Sequence, residues 1–247
     1  MTNTGPTPFV SGRNLARQHR FWNSRAVSWD HGAGRNPGLV RVVEEVVSQA
    51  RPLGSEHAVD LGCGSGQVSL AISRKVASVM AIDISEKMIS LLLDNAKRGG
   101  VTNLDGRAMP VESLEFEPGS VDLVVTNYAL HHLRDEDKGK VIGRVYEWLA
   151  PGGRLVIGDM MFGRGGDARD RQIIASKLMV FARKGPAGWW RIAKNAGRYL
   201  LRAQERPVSM STWSAMLKKA GFVDVTGTVV VNEAAVVSGT KPRTKPG

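Results

Sequence analysis

Apolar positions follow two different spacings along residues 57–160. The runs HAVDLG (57–62), SVMAID (78–83), VDLVVTN (121–127) and RLVIGD (154–159) are short, nearly continuous in apolar residues and rich in β-branched side chains. Runs of that length and composition read as strands buried on both faces. Between them, Gln67–Lys75, Ser85–Arg98 and Glu136–Leu149 place apolar residues three and four apart, the period of a helix with one buried face. Ser85 is predicted to cap the second of these helices and Gly99-Gly100 to stop it. Asp135 is predicted to cap the third, and Pro151-Gly152-Gly153 to end it. A further strand is expected at 104–109. Strands that alternate with helices predict an α/β fold, a doubly wound, mostly parallel sheet with helices on both faces.

The flanks follow other patterns. Residues 1–12 are polar and read as a frayed terminus, and 13–29 as one or two short helices. Gly32, Gly34 and Pro37 break the chain before a helical period over 39–50. Residues 163–206 carry two helical patterns separated by Gly185-Pro186-Ala187-Gly188. Ser211–Ala220 is a last helix with Ser209 or Ser211 as its cap. FVDVTGTVVV and EAAVVSGTK then close the fold as an antiparallel pair, followed by a basic tail. The expected organisation is one domain: an N-terminal helical cover (1–56), a core (57–160), a basic helical lid insertion (161–208), a C-terminal helix with strands (209–240) and the tail (241–247).

Composition limits the function classes. The 247 residues suffice for a substantial hydrophobic core without a disulfide or metal staple. A single cysteine, Cys63, excludes an internal disulfide and a thiolate metal cage, and no metal site is expected. The N-terminus lacks the apolar run of a signal peptide, and no stretch approaches a membrane-spanning length, so a cytoplasmic protein is expected. The net charge of +11 suggests an anionic partner. That charge is uneven. Residues 1–56 hold 7 Lys+Arg against 4 Asp+Glu, residues 57–160 hold 11 against 14, and residues 161–247 hold 16 against 5. The core is mildly acidic, and the basic surface belongs to the C-terminal third.

The densest chemistry is the run Asp60-Leu61-Gly62-Cys63-Gly64-Ser65-Gly66, at the junction of a strand with a helix. Glycines there let backbone approach a ligand closely, with a helix N-terminus behind them. Asp83 stands at the end of the next strand, where a carboxylate can accept both hydroxyls of a ribose. The spacing is G-x-G-x-G, which departs from the G-x-G-x-x-G of dinucleotide sites. Asp60 and Asp83 can also be read as capping residues, and Cys63 as a small buried filler.

Four segments in order, DLGCGSG, AIDIS, SVDLVVTNYALHHL and LAPGGRLVIGD, resemble the class I S-adenosylmethionine-dependent methyltransferases, which are Rossmann-like. Within them the chain is similar to the ubiquinone/menaquinone-biosynthesis branch. The resemblance spans about residues 57–160. It implies S-adenosylmethionine as cofactor, with Gly62, Gly64 and Gly66 beneath its methionine part and Asp60 holding the loop or the amino group. It implies Asp83 on the ribose, Ile84 on the adenine and Asn127 near the sulfonium. Pro110, Val111 and Glu112 match the segment that reads the adenine edge, although Pro110 replaces the family's aspartate there.

Methyl transfer needs alignment, exclusion of water and, for some acceptors, a base. Tyr128, His131 and His132 follow the fourth strand, where such a sheet presents its chemistry, and are the catalytic candidates. The alternative is that a histidine only packs beneath the cofactor. Asn127-Tyr128-Ala129-Leu130 lacks the Pro-Pro run typical of enzymes that methylate base amines, which demotes nucleic acid as a partner. The expected reaction is methylation of a small lipophilic or anionic acceptor at O, C or N. Trp22, Trp29, Phe181 and Trp189 are the expected lid over it, and Arg191, Lys194, Arg198 and Arg202 form a basic stripe opposite Trp189. That segment equally suits peripheral contact with an anionic membrane or a solvated face. A cofactor-binding protein at such a membrane, or an RNA methyltransferase, is the alternative function.

Overall fold

A computed structural model describes residues 15–163, 170–173, 175–176, 179 and 206–243. Seven strands form one sheet in the order β3-β2-β1-β4-β5-β7-β6. They are β1 (His57–Leu61), β2 (Ser78–Asp83), β3 (Leu104–Ala108), β4 (Val121–Asn127), β5 (Leu149–Met160), β6 (Val223–Val231) and β7 (Ala234–Thr240). Pairings from β3 through β5 are parallel, and β7 runs antiparallel to both of its neighbours. The order reverses between β1 and β4, the point at which sheets of this type bind ligands beyond their strand ends.

The helices that flank the sheet include α1 (Leu15–Ala33), α2 (Pro37–Ala50), α3 (Gln67–Ser73), α4 (Glu86–Arg98), α5 (Asp135–Trp148) and α6 (Met210–Lys219), and residues 170–173 are helical as well. On one face, Val42, Val46 and Ala50 of α2 join Val68 and Ile72 of α3 against Leu123, Val156 and Val236. On the other, Val141, Val145 and Trp148 of α5 pack with Trp213 and Leu217 of α6 over Val124, Leu155 and Ile157. Every strand from β1 to β5 except the edge strand β3 thus buries most of its residues, as its composition predicted.

Several boundaries differ from expectation for local reasons. Residues 15–33 are one helix that passes through Gly32. Pro37 does not interrupt the chain but opens α2, where its missing N–H costs nothing, and the Asn36 side chain accepts from the N–H groups of Gly38 and Leu39. The N-cap of α5 is Arg134 and not Asp135, whose carboxylate lies in the first turn and accepts from Lys138 Nζ at 2.9 Å. β5 begins at Leu149, before the Pro-Gly-Gly run, because Leu149 pairs with Val121 ahead of a register shift. Ser85 and Ser209 cap α4 and α6 with their side chains.

The expected N-terminal cover contains two different elements. α2 is a core helix under the sheet. Its end is locked by Arg154, which donates to Glu56 at 2.5 and 2.9 Å and to the Arg51 carbonyl at 2.8 Å. α1 lies over the ligand end of the sheet, where Leu39 at the start of α2 joins it. It is tied to the start of α4, where Asn23 donates to Glu86 at 3.1 Å and accepts from Ser85 and Lys87, and His19 contacts Glu86 at 2.5 Å. These partners, Asn23 first, the Glu86 backbone next and then His19, pull the Glu86 carboxyl down to about 2.

Candidate functional site

The β1–α3 turn owes its shape to three glycines with positive φ, 72° at Gly62, 54° at Gly64 and 98° at Gly66. A Cβ on Gly62 would lie 2.3 Å from Cβ of Ala129, and one on Gly66 would lie 2.1 Å from Leu92. Gly66 therefore serves the packing of the turn on α4. Gly62 and Gly64 line a cleft of about 840 Å³ at the ends of β1, β2 and β4.

Asp83 braces this turn. One of its carboxylate oxygens accepts from Gly64 N–H at 3.0 Å and the other from Ser85 N–H at 2.9 Å. It lines the cleft together with Ile84, Val111 and Asn127. Pro110 and Glu112, on the 3-10 turn containing Val111, lie outside the lining. Asp60 is buried at 1% exposure, and Ser69 Oγ donates to its Oδ2 at 2.5 Å. Its Oδ1 has no hydrogen-bond partner, and neither has Oδ1 of Asn127. Burial pushes the Asp60 carboxyl up to about 7, assisted by the charge of Asp83 and opposed by the Ser69 hydrogen bond. Burial, with the charges of Asp83 and Asp60, also holds the Cys63 thiol protonated, so it lines the cleft as a small neutral group.

A second cavity, of about 1350 Å³, adjoins the first. Trp22, Trp29, Leu39, Tyr128 and His132 line both and form the wall between them. Trp22 meets Trp29 and His132 edge-on, with ring centroids 5.7 and 5.4 Å apart. Tyr128 adopts a φ of 52°, a strained value for a side chain of its size. Burial, then the charges of Glu233 and Asp159, push its hydroxyl well above the ordinary tyrosine range.

His131 lines only the second cavity. Its Nδ1 lies 2.6 Å from Asp159 Oδ1, and its backbone N–H donates to Asp159 Oδ2 at 2.9 Å. A buried carboxylate accepts, so the Nδ1 position carries the proton and Nε2 is left as a lone-pair base. The His131 carbonyl accepts from Arg206 N–H at 2.6 Å, and buried Lys138 donates to the Arg206 carbonyl at 2.6 Å and the Leu133 carbonyl at 3.0 Å. The 3-10 turn bearing both histidines is thereby clamped to the chain returning at 206.

The structure thus brings Asp60, Gly62, Gly64, Asp83, Ile84, Val111, Asn127, Tyr128, His132, Trp22 and Trp29 to one cleft and sets His131 beside it. Phe181, Trp189 and the basic stripe lie outside the described residues. Leu39, Met88 and Asp159 contribute to the site without having been singled out from the sequence. Leu39 and Met88 read as ordinary helix-core positions, and Asp159 as the last residue of a strand. Among the described residues, no cluster of three or more His, Cys, Asp or Glu side chains could hold a metal ion. No helix among them is long and apolar enough to cross a membrane.

The sheet order, the glycine turn and the two carboxylates at the strand ends define a Rossmann-like ligand-binding α/β protein. Residues 58–153 match a methyltransferase domain family, and this match together with the relatives below supports a class I S-adenosylmethionine-dependent methyltransferase. The chain is 30% identical over 129 residues to a phosphoethanolamine N-methyltransferase 1 from Triticum aestivum, a match covering 51% of this chain and 25% of that protein. It is 27% identical over 192 residues to a carboxy-S-adenosyl-L-methionine synthase from a Shewanella species, covering 75% and 77% of the two chains. Among solved structures it resembles a Synechocystis magnesium protoporphyrin IX methyltransferase with bound S-adenosylhomocysteine, with a TM-score of 0.67, 16% identity and coverage of 92% and 100%. The methyltransferase domain and the S-adenosylhomocysteine bound in that neighbour indicate S-adenosylmethionine as the cofactor. The residues fit it: Gly62, Gly64 and Asp83 line the cleft together, and Asp60 Oδ1 is a buried acceptor without a partner.

Proposed function

We propose that the chain methylates a small molecule held in the second cavity, at an oxygen, nitrogen or carbon that sheds a proton, with His131 as the base. The observation that carries this reading is the His131–Asp159 pair on the wall of a cavity adjoining the cofactor cleft. When bound, S-adenosylmethionine supplies a methyl group on a positively charged sulfur. The chain's own residues bind, orient and shield. The Gly62–Gly64 backbone and the Asp60 carboxylate hold the amino-acid end, with Asp60 Oδ1 pairing with the ammonium. Asp83 accepts the ribose hydroxyls at the end of β2. Ile84 and Val111 cover the adenine. Asn127, which lines the cleft at the end of β4, stands near the position expected for the sulfonium. Trp22 and Trp29 exclude water from the junction of the two cavities. His131 Nε2 takes the acceptor's proton, and Asp159 stabilises the resulting imidazolium, a role worth about 10²–10⁴ in rate for general bases.

Incubation with methyl-labelled S-adenosylmethionine and a fractionated cell extract tests the function. Label in a low-mass fraction, lost in His131→Asn, is expected. Label confined to RNA, or no label in any fraction, would overturn it.

A further inference from the structure

The second cavity is polarised, and its polarity identifies a class of acceptor. Its residues from α1 fall on one helical face, with Arg17, Phe21 and Arg25 each four residues apart and Trp22 and Trp29 beside them. The Arg25 guanidinium stacks over the Phe21 ring at 4.4 Å, which sets a flat cation against an aromatic surface. Tyr128, His131 and Glu233 line the same cavity from the turn after β4 and the β6–β7 connection, and a run of ring contacts leads from Phe21 through Trp22 and His132 to His131. Asp159 lies behind His131, and the charges of Glu233 and Asp159 both act on Tyr128. One wall is therefore cationic and aromatic. The other is anionic and holds the base.

We infer that the acceptor is an aromatic acid: a planar ring carrying a carboxylate at one end and a proton-bearing nucleophile, such as a phenolic hydroxyl, at the other. The carboxylate would meet Arg17 and Arg25, whose planar guanidinium groups suit two-point recognition of a carboxylate. The ring would lie along Phe21, Trp22 and Trp29, which offer flat apolar surface. The same anion placed at the other pole would oppose Glu233 and Asp159, so the charges also fix the direction of binding. That direction presents the hydroxyl, and not the carboxylate, to His131 Nε2. A ring with a hydroxyl alone would lack the contact that orients it. A ring carrying an amine in place of the acid would be driven from the arginine wall.

This inference rests on the methyltransferase reading of the neighbouring cleft, and the experiment separates the two. Calorimetric titration with S-adenosylhomocysteine alone reports the cofactor cleft. The complex is then titrated with 4-hydroxycinnamate, with its neutral relative 4-hydroxycinnamyl alcohol and with tyramine. The acid is expected to bind at least about tenfold more tightly than the alcohol, a difference of about 1.4 kcal/mol, and tyramine least tightly. Arg25→Gln, at an exposed position of α1, should erase most of the preference of acid over alcohol. If S-adenosylhomocysteine binds but the three ring compounds bind alike, or the amine binds best, the acceptor class is wrong and the cofactor reading stands. An unchanged acid preference in Arg25→Gln together with Arg17→Gln would also overturn it. If S-adenosylhomocysteine itself fails to bind, both readings fall.

Discussion

Asp159 holds His131 by two atoms at once, accepting from the ring Nδ1 at 2.6 Å and from the backbone N–H at 2.9 Å. The pair is almost fully enclosed, with His131 at 5% and Asp159 at 0% exposure. Main chain and imidazole are thus fixed by one carboxylate, and the tautomer follows from the contact. His131→Asn should lower kcat by about 10²–10⁴. KM for S-adenosylmethionine should change little, because His131 faces only the second cavity. Asp159→Asn should lower kcat by a smaller factor, through loss of the tautomer and of imidazolium stabilisation. Steady-state kinetics with any accepted substrate checks both, and a KM effect without a kcat effect would assign His131 to packing.

Asp60 links cofactor binding to pH. Burial pushes its carboxyl up to about 7, and the charged form is the one that pairs with an ammonium. Affinity for S-adenosylhomocysteine should therefore rise as pH increases from 5.5 to 8, and Asp60→Asn should bind weakly with a flatter profile.

The same group reverses the usual pH dependence of stability for a carboxylate. The folded chain keeps this proton over the interval from about 4 to 7 in which an unfolded chain has released it. The folded state binds more protons there, so this contribution to the stability of the ligand-free protein declines as pH rises through that window. Denaturant unfolding of the wild type and Asp60→Asn at several pH values checks the sign, with the decline reduced in the variant.

Two glycines with positive φ separate strain from crowding. Gly62→Ala would combine a φ of 72° with a methyl group 2.3 Å from Ala129 Cβ, which has no rotamer to yield. Its cost should be about 3 kcal/mol from strain and overpacking together. Gly100→Ala, at a φ of 66° with nothing within 4 Å of the new Cβ, should cost only the strain, about 1 kcal/mol. Chemical denaturation of the two variants measures the difference.

α1 reaches α4 through polar contacts, and its own buried residues are only Ala26 and Ala33. Asn23→Ala removes hydrogen bonds to Ser85, Glu86 and Lys87 from the helix that carries Trp22 and Trp29 over the cleft. It should weaken S-adenosylhomocysteine binding about tenfold while lowering the melting temperature little, since the sheet core is untouched. Calorimetry and a thermal melt separate the two effects.

Much of the core was legible from apolar spacing, because strands buried on both faces and amphipathic helices leave different periods. β2 and β4 fall at their expected bounds, and Ser85 caps α4 as expected. The departures arise where capping or strand pairing decided what propensity left open. Pro37 is a break by propensity and a helix start by capping. Leu149 belongs to a helical period but is claimed by Val121. The cleft was legible because glycines, Asp60 and Asp83 lie close together in the chain. The His131–Asp159 pair was not, since it joins residues 28 apart on neighbouring segments and no spacing announces it. The polarity of the second cavity was equally hidden, being assembled from α1, the turn after β4 and the β6–β7 connection.

The central claim is a cofactor cleft built on the Gly62–Gly64 turn and Asp83. Calorimetric titration with S-adenosylhomocysteine tests it most directly, on the wild type and on Asp83→Ala confirmed as folded by its thermal melt. The account predicts one site per chain in the wild type and affinity reduced about tenfold or more in the variant, from loss of charge-assisted hydrogen bonds to the ribose. No heat in the wild type, or equal affinity in the two proteins, would contradict it.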